Sequence, residues 1–366
     1  MIVLIWKKII LKQNLLYRIC FYCLCLIEII YKFVISISNF FYDKGFFVKK
    51  SNLFIISVGN ITLGGSGKTP FVIFLSKLLK KHNKNIAVLS RGYKGGKSKQ
   101  GGVVSDGKNV LLSPCDAGDE PYMTAKKLEN VPVVIGRNRY DIAELVKKEF
   151  DTEIGILDDG FQHRKLARDI NILLVDVEAG FGNSHVFPAG VLRESLSQIK
   201  RADIIVLTKT NFVKNTLELE NKIEKYNSKA VIYKSTLEPV CFMDFTKLIC
   251  DVSNNINELK LNIIKNKNIL LVSAIGNPLF FKKQIKDLKP ANVFTLEYKD
   301  HYDYTKKDIE KIKHLYNKRD IDYIITTHKD FVKLNKFEID LPLIFLEINI
   351  KIKGVAENDF YKKLMI

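Results

Sequence analysis

Residues 57–71 read SVGNITLGGSGKTPF, a glycine-rich loop closing on Gly-Lys-Thr between a hydrophobic strand and an amphipathic helix. Few folds accommodate that layout. A buried strand must deliver the chain into a tight turn, and a helix must leave from it. Residues 53–58 (LFIISV) suit a buried strand. Gly64, Gly65 and Gly67 let the backbone turn and point its N–H groups at an anion. From Lys68 onward Phe71, Phe74, Leu75, Leu78 and Leu79 share one helical face. Pro70 fits the first turn, where its missing N–H is not needed. The helix N-terminus adds partial positive charge beneath bound phosphates. The pattern predicts a nucleotide-binding loop of Thr62, Gly64, Gly65, Ser66, Gly67, Lys68 and Thr69. Lys68 would reach the β- and γ-phosphates and the Thr69 hydroxyl would ligate Mg²⁺. One position departs from the G-x-x-x-x-G-K pattern: Thr62 stands where the first glycine is expected.

Past residue 50, strand-like apolar runs alternate with helical patterns. Strands are expected at 53–58, 85–90, 131–135, 153–158, 170–176 and 203–207, with helices around 68–82, 138–150 and 215–227. Such alternation argues a parallel sheet covered on both faces, with ligands beyond the carboxyl ends of the strands. An Asn-rich stretch near 252–267 reads as connection. A second set follows: strands at 268–273, 292–297, 321–326 and 342–347, helices at 278–288 and 305–317. The expected fold is α/β, with a P-loop NTPase-type parallel sheet core at 51–238, a linker at 239–267 and a second, smaller α/β lobe at 268–366. A cleft would lie between the lobes.

Residues 1–50 are set apart as an N-terminal membrane-associated helical segment. The stretch 15–42 is apolar and aromatic but carries Arg18, Glu28 and Lys32, and its uncharged runs are each too short to span a bilayer alone. Glu28 and Lys32 are spaced to pair on a helix. Lysines flank both sides, so charge sets no orientation. A tilted anchor, an in-plane interfacial helix and a buried core helix all fit the pattern; aromatics and basic flanks favour a membrane interface. The net charge of +18 over 366 residues invites a nucleic-acid reading. The lysines are dispersed and no recognition element accompanies them, so no nucleic acid is expected as partner. The six cysteines form no framework. Cys20-x-x-Cys23 has no second pair of ligands, so zinc is not expected, and reduced thiols suit a reducing cytoplasm.

The strand at 153–158 ends in Asp158-Asp159, the arrangement in which a carboxylate beside a phosphate loop holds Mg²⁺ while its neighbour orients other groups. Gly118-Asp119-Glu120-Pro121 places acids where a loop enters a helix, also a common capping pattern. Asp300-His301 follows strand 292–297. Asp119 and His301 together suggest a dyad, a carboxylate oriented by imidazole that takes a proton from an acceptor hydroxyl. Arg91, Arg139, His163 and Arg164 lie at strand ends and loops, where guanidinium forks suit phosphate oxygens of a substrate. Leu207-Thr208-Lys209 is similar to the base-reading loop of GTPase-like proteins, but Asn211 stands in place of the guanine-reading Asp, so GTP is not inferred.

Taken together, the segments resemble one family, the tetraacyldisaccharide 4′-kinases. The resemblance rests on SVGNITLGGSGKTP (57–70), SRGYKG (90–95), GDEP (118–121), the Arg139 region, LDDGFQHRKLARD (157–169) and FPAGVLRE (187–194). AIGNPLFF (274–281), KDHYDY (299–304) and TTHKD (326–330) continue it through the second lobe. The family itself shows the Thr62 departure; His328 stands where members more often have Glu. The resemblance implies transfer of the γ-phosphate of ATP, with Mg²⁺, to the 4′-hydroxyl of an acylated disaccharide 1-phosphate in lipid A biosynthesis. It implies cytoplasmic catalytic lobes attached to the inner membrane by the N-terminal helix. It further implies Asp119 as base with His301 as its partner, Lys68 and Thr69 on phosphate and Mg²⁺, Asp159 and Asp158 as metal carboxylates, and Glu194 in the metal shell.

Overall fold

The computed structural model describes residues 6–364 apart from 7, 12–13, 245–256, 301, 335, 338 and 355. Helix α1 (Leu15–Asp43) is capped by Asn14, whose side chain accepts the Tyr17 N–H. The first α/β set comprises β1 (Phe54–Gly59), α2 (Lys68–Lys81), β2 (Ile86–Ser90), β3 (Gly102–Ser105), α3 (Asp119–Lys127), β4 (Val133–Ile135), α4 (Arg139–Phe150), β5 (Ile154–Asp158), β6 (Ile170–Asp176), β7 (Ile204–Thr208) and α5 (Leu217–Glu224). After β8 (Val231–Asp244) and β9 (Asn257–Leu259) comes the second set. It holds β10 (Asn268–Ser273), α6 (Pro278–Asp287), β11 (Asn292–Glu297), α7 (Lys306–Lys318), β12 (Tyr323–Thr327), α8 (His328–Leu334), β13 (Leu343–Lys353) and α9 (Glu357–Lys363).

The strands make one 13-stranded sheet, in the order β11-β10-β12-β13-β8-β7-β6-β1-β5-β2-β4-β3, with β9 beside β8. Two parallel runs meet at an antiparallel seam. The start of β8 pairs in parallel with β7, and nearly all of β8 pairs antiparallel with β13, from Lys234↔Lys353 to Asp244↔Ile344. Residues 239–244, expected in a connection, are therefore the second half of a strand. Pro239 disguised it: the register shifts between Glu347 and Ile348, opposite Cys241 and Pro239, and such an irregularity tolerates a residue without an N–H.

Strand β1 is central, with Ile55, Ile56 and Val58 at most 1% exposed, as a strand covered on both faces requires. Helix α2 packs beneath it through Phe71, Leu75 and Leu79. The C-terminal helix α9 returns to this core: Phe360 and Leu364 are buried there, and the Phe360 ring meets Phe71, Phe74 and Tyr233. Residues 357–364, expected with the second lobe, thus pack in the first.

Helix α1 lies along the body. Phe21, Glu28 and Asn39 are buried against it, while Leu26, Ile30, Phe33 and Val34 point outward. That orientation excludes the core-helix reading.

Candidate active site

The loop between β1 and α2 turns through Gly64 (φ +113°) and Gly67 (φ +79°), conformations that favour glycine. Lys68 donates to Asn60 Oδ1 at 3.3 Å and lies 3.6 Å from Asp159 Oδ1. Asn60 also donates to the Thr62 carbonyl at 2.9 Å and the Thr62 hydroxyl at 3.3 Å. The Thr62 backbone forms a β-bridge with Leu192, while the hydroxyl that accepts from Asn60 is what gives a side chain a use at this position. From the end of β7, Thr208 donates to the Ser66 carbonyl at 3.2 Å and Lys209 to the Gly65 carbonyl at 3.3 Å. Lys209 pairs with buried Asp176 and sits 4.6 Å from the Phe280 ring centroid of α6. Asn211 is bonded to the Leu237 backbone in both directions.

Strand β5 ends on Asp158, which is buried and receives the Ser90 hydroxyl at 3.4 Å. Burial first, then the charges of Glu120 and Asp159, push its carboxyl up to about 7 against the pull of Lys68 and Arg139. Asp159 has a left-handed backbone (φ +51°). Burial would raise its carboxyl, but Lys68 and Arg193 prevail and hold it below the usual range. Arg193 reaches both of its oxygens at 3.0 Å. Gln162 joins Arg193 (3.3 Å), the Asn60 carbonyl (2.8 Å) and Glu194 (2.8 Å). Both oxygens of Glu194 are already taken by Arg201 at 2.8 Å. Burial, with two neighbouring acids, disfavours charge on Asp158 despite Lys68 and Arg139, and a bound cation would offset that penalty. The all-oxygen set of Thr69, Asp158 and Asp159 could hold a hard divalent cation such as Mg²⁺.

Asp119 opens α3, and Lys333 of α8 comes within 3.1 Å of it. Lys333 also lies 3.6 Å from Asp303. Lys329 spans Glu120 (3.7 Å) and Asp300 (3.1 Å). The segment bearing Asp300 therefore faces the GDEP turn, while His301 lies outside the described residues. A Cβ placed on Gly276 would sit 3.4 Å from Asp300 Oδ2 and 3.7 Å from the Gly65 nitrogen, so the second lobe abuts the phosphate loop itself. Sequence reasoning missed Lys329 and Lys333; the signal was their four-residue spacing, which puts both on one helix face.

Arg139 is 3% exposed and donates to the Gly136 carbonyl at 2.5 Å. Burial lowers its guanidinium to about 10, so it stays charged, with Asp158 opposing the shift. Burial, reinforced by Arg139 and Arg168, lowers His163 to about 4 and keeps it neutral. Arg164 instead holds the end of α1, donating to the Asn39 carbonyl (3.1 Å) and Asp43 (2.5 Å). A cleft of about 1550 Å³ runs past the phosphate loop, Asp119, Asp158, Arg91 and Arg139, and reaches Tyr42 in the last turn of α1 and Phe47 just after it. Its walls mix charged groups with aromatic rings: Arg164 lies 5.4 Å from the Tyr42 ring centroid and Lys49 4.8 Å from that of Tyr140. Such a cleft can take a polyphosphate and a bulky amphiphilic anion, stabilise charge, and accept a proton at Asp119.

The family model described as Tetraacyldisaccharide-1-P 4′-kinase matches residues 21–365. A tetraacyldisaccharide 4′-kinase of Halothermothrix orenii is 36% identical over 352 residues, covering 93% of this chain and 91% of its own length. Its counterpart in Aquifex aeolicus is 37% identical over 336 residues, covering 91% of this chain and 96% of its own. A crystal structure of LpxK from Aquifex aeolicus in complex with ATP superposes with a TM-score of 0.74 at 34% identity, covering 94% of this chain and 98% of that one.

Proposed function

The chain belongs to the tetraacyldisaccharide-1-P 4′-kinase family, and from that premise we propose which of its residues carry the reaction. It is an ATP-dependent phosphotransferase that phosphorylates the 4′-hydroxyl of a tetraacyl disaccharide 1-phosphate in lipid A biosynthesis. The phosphates of ATP rest on the N–H groups of residues 64–69, and Lys68 neutralises the β- and γ-phosphates. Thr69 and the Asp158–Asp159 pair would hold Mg²⁺, which when bound would supply further positive charge beside the phosphates. Arg193 keeps Asp159 turned toward Lys68, and Gln162 ties both to Asn60. Glu194 supports this network by anchoring Gln162 and Arg201.

Asp119 takes the proton of the acceptor hydroxyl. Lys333, 3.1 Å away, holds its carboxylate in position until the acceptor arrives. His301 is its partner in that step. Arg91 and Arg139 receive the acceptor's 1-phosphate, and neutral His163 offers it a hydrogen bond without added charge. Residues 51–238 with α9 act as the nucleotide lobe, and the smaller lobe beginning at 268 closes over it. Helix α1 seats the enzyme on the inner membrane, lobes on the cytoplasmic side. With one face docked along the body and the other apolar, it lies in the plane of the interface.

The observation that carries this reading is the approach of the Asp300 and Lys333 side of the second lobe to Asp119 and the phosphate loop across one cleft. The test is transfer of labelled γ-phosphate from ATP to tetraacyl disaccharide 1-phosphate in detergent micelles. Asp119→Ala should lower kcat by about 10²–10⁴ while ATP still binds, as loss of a general base does. Full lipid labelling by that variant would remove Asp119 from the chemistry.

A further inference from the structure

Away from the cleft, α1 meets the loop after β6 at three potential ligands. Cys25 and Glu28 are three residues apart on one face of the helix, and His185 approaches from the loop. One donor atom from each lies within 4.8 Å of the others. Glu28 is 3% exposed on a largely apolar helix. Its Oε2 is 2.7 Å from His185 Nδ1, and its Oε1 accepts the Val186 N–H at 2.7 Å and meets Lys32 at 2.5 Å. Phe21 packs edge-on against the His185 ring, centroids 5.2 Å apart, and so limits its rotation.

We infer that Cys25, Glu28 and His185 form a binding site for a borderline-soft divalent cation, with Zn²⁺ as the fitting ion. Thiolate, carboxylate and imidazole with one water complete the four-coordinate set that Zn²⁺ accepts, whereas Mg²⁺ and Ca²⁺ favour oxygen alone. Bonds of about 2.0–2.3 Å place tetrahedral donors roughly 3.3–3.8 Å apart. The Glu28–His185 contact, at 2.7 Å, must therefore open to admit the ion, and donors as much as 4.8 Å apart must close by about an ångström. Binding displaces the Lys32 ammonium, whose stem is partly exposed, and releases the Cys25 proton. The Val186 N–H holds Glu28 in place as an outer support. The sequence concealed this set because His185 lies far along the chain from the two helix residues. The ion would staple α1 to the loop that leads on to Arg193, and so act on stability rather than on phosphoryl transfer.

The full chain in detergent, stripped with a chelator, would be titrated with Co²⁺ and then Zn²⁺. One equivalent of Co²⁺ should give a thiolate-to-cobalt charge-transfer band, and Zn²⁺ should displace it and raise Tm. Cys25→Ser should abolish the band, and His185→Ala should weaken binding at least tenfold. Cys20→Ser and Cys23→Ser should change nothing, and Lys32→Gln should tighten binding by removing the competing cation. Absence of the band, an undiminished band in Cys25→Ser, or displacement by millimolar Mg²⁺ would overturn the site.

Discussion

At Asp159 a left-handed backbone turns one of two consecutive carboxylates toward Lys68 and Arg193, while Asp158 stays buried behind it. Arg193→Met should therefore free Asp159 and lower kcat by about 10², the scale for losing one preorganised electrostatic group. Parallel ATP-binding measurements would separate that loss from weakened affinity. Two histidines predict how stability follows pH. Burial depresses His163 to about 4, and burial with Lys127 depresses His328 to about 3, whereas an unfolded histidine titrates near 6.5. Between those values the unfolded chain binds protons that the folded chain refuses. Stability should fall as pH drops from about 6.5 toward 4, less steeply than two histidines alone would give, because the raised Asp158 carboxyl binds a proton in the folded chain over the same range. Urea midpoints across that range should show a shallower decline in His163→Gln and shallower still with His328→Gln; an equally steep decline would mean other groups dominate. That Lys68, Thr69 and the two aspartates share one cleft was legible because motif spacing places them at the loop and strand end, whereas Asp119 drew its expected role from the family resemblance. Lys333, Lys329 and Gln162 were not, since each acts through a partner distant in sequence.

Among the elements, α1 shows most clearly what periodicity can and cannot say. Its apolar content was evident, but not which residues face inward: Glu28 and Asn39 are buried, and Ile30 and Phe33 are 66% and 65% exposed. The docked polar residues bond to His185, Val186 and Arg164, so charge alone did not mark the outer face. Ile30→Asp with Phe33→Asp should weaken binding to anionic vesicles by at least tenfold, since burial of each such side chain is worth about 1.5–3 kcal/mol. Tm should be unchanged, because neither residue packs on the body. Unaltered vesicle binding would leave α1 without the membrane role proposed for it. The Pro239 irregularity in β8 is the opposite case, a strand whose pattern was interrupted and whose pairing with β13 restores it.

Across the whole molecule, the two α/β sets form one continuous sheet through the β8–β13 seam, and α9 returns from the second set to the first. Phe360→Ala should cost about 3–5 kcal/mol, the usual loss for a buried phenylalanine. Thermal unfolding would read this, and a drop below 1 kcal/mol would show that α9 is dispensable to the core. Lys209, joined to the Gly65 carbonyl and lying against Phe280, links the phosphate loop to the second lobe. Lys209→Met should therefore reduce kcat and weaken ATP binding together, whereas a loss confined to kcat would speak against that link. The order of strands and helices, the phosphate loop and the acidic strand end were determined by local sequence, because hydrophobic period and glycine placement act over a few residues. The position of α9, the seam, the inward face of α1 and the meeting of Lys333 with Asp119 were decided by tertiary structure. Each depends on surfaces brought together from distant parts of the chain, and no local pattern encodes which surface a side chain will meet.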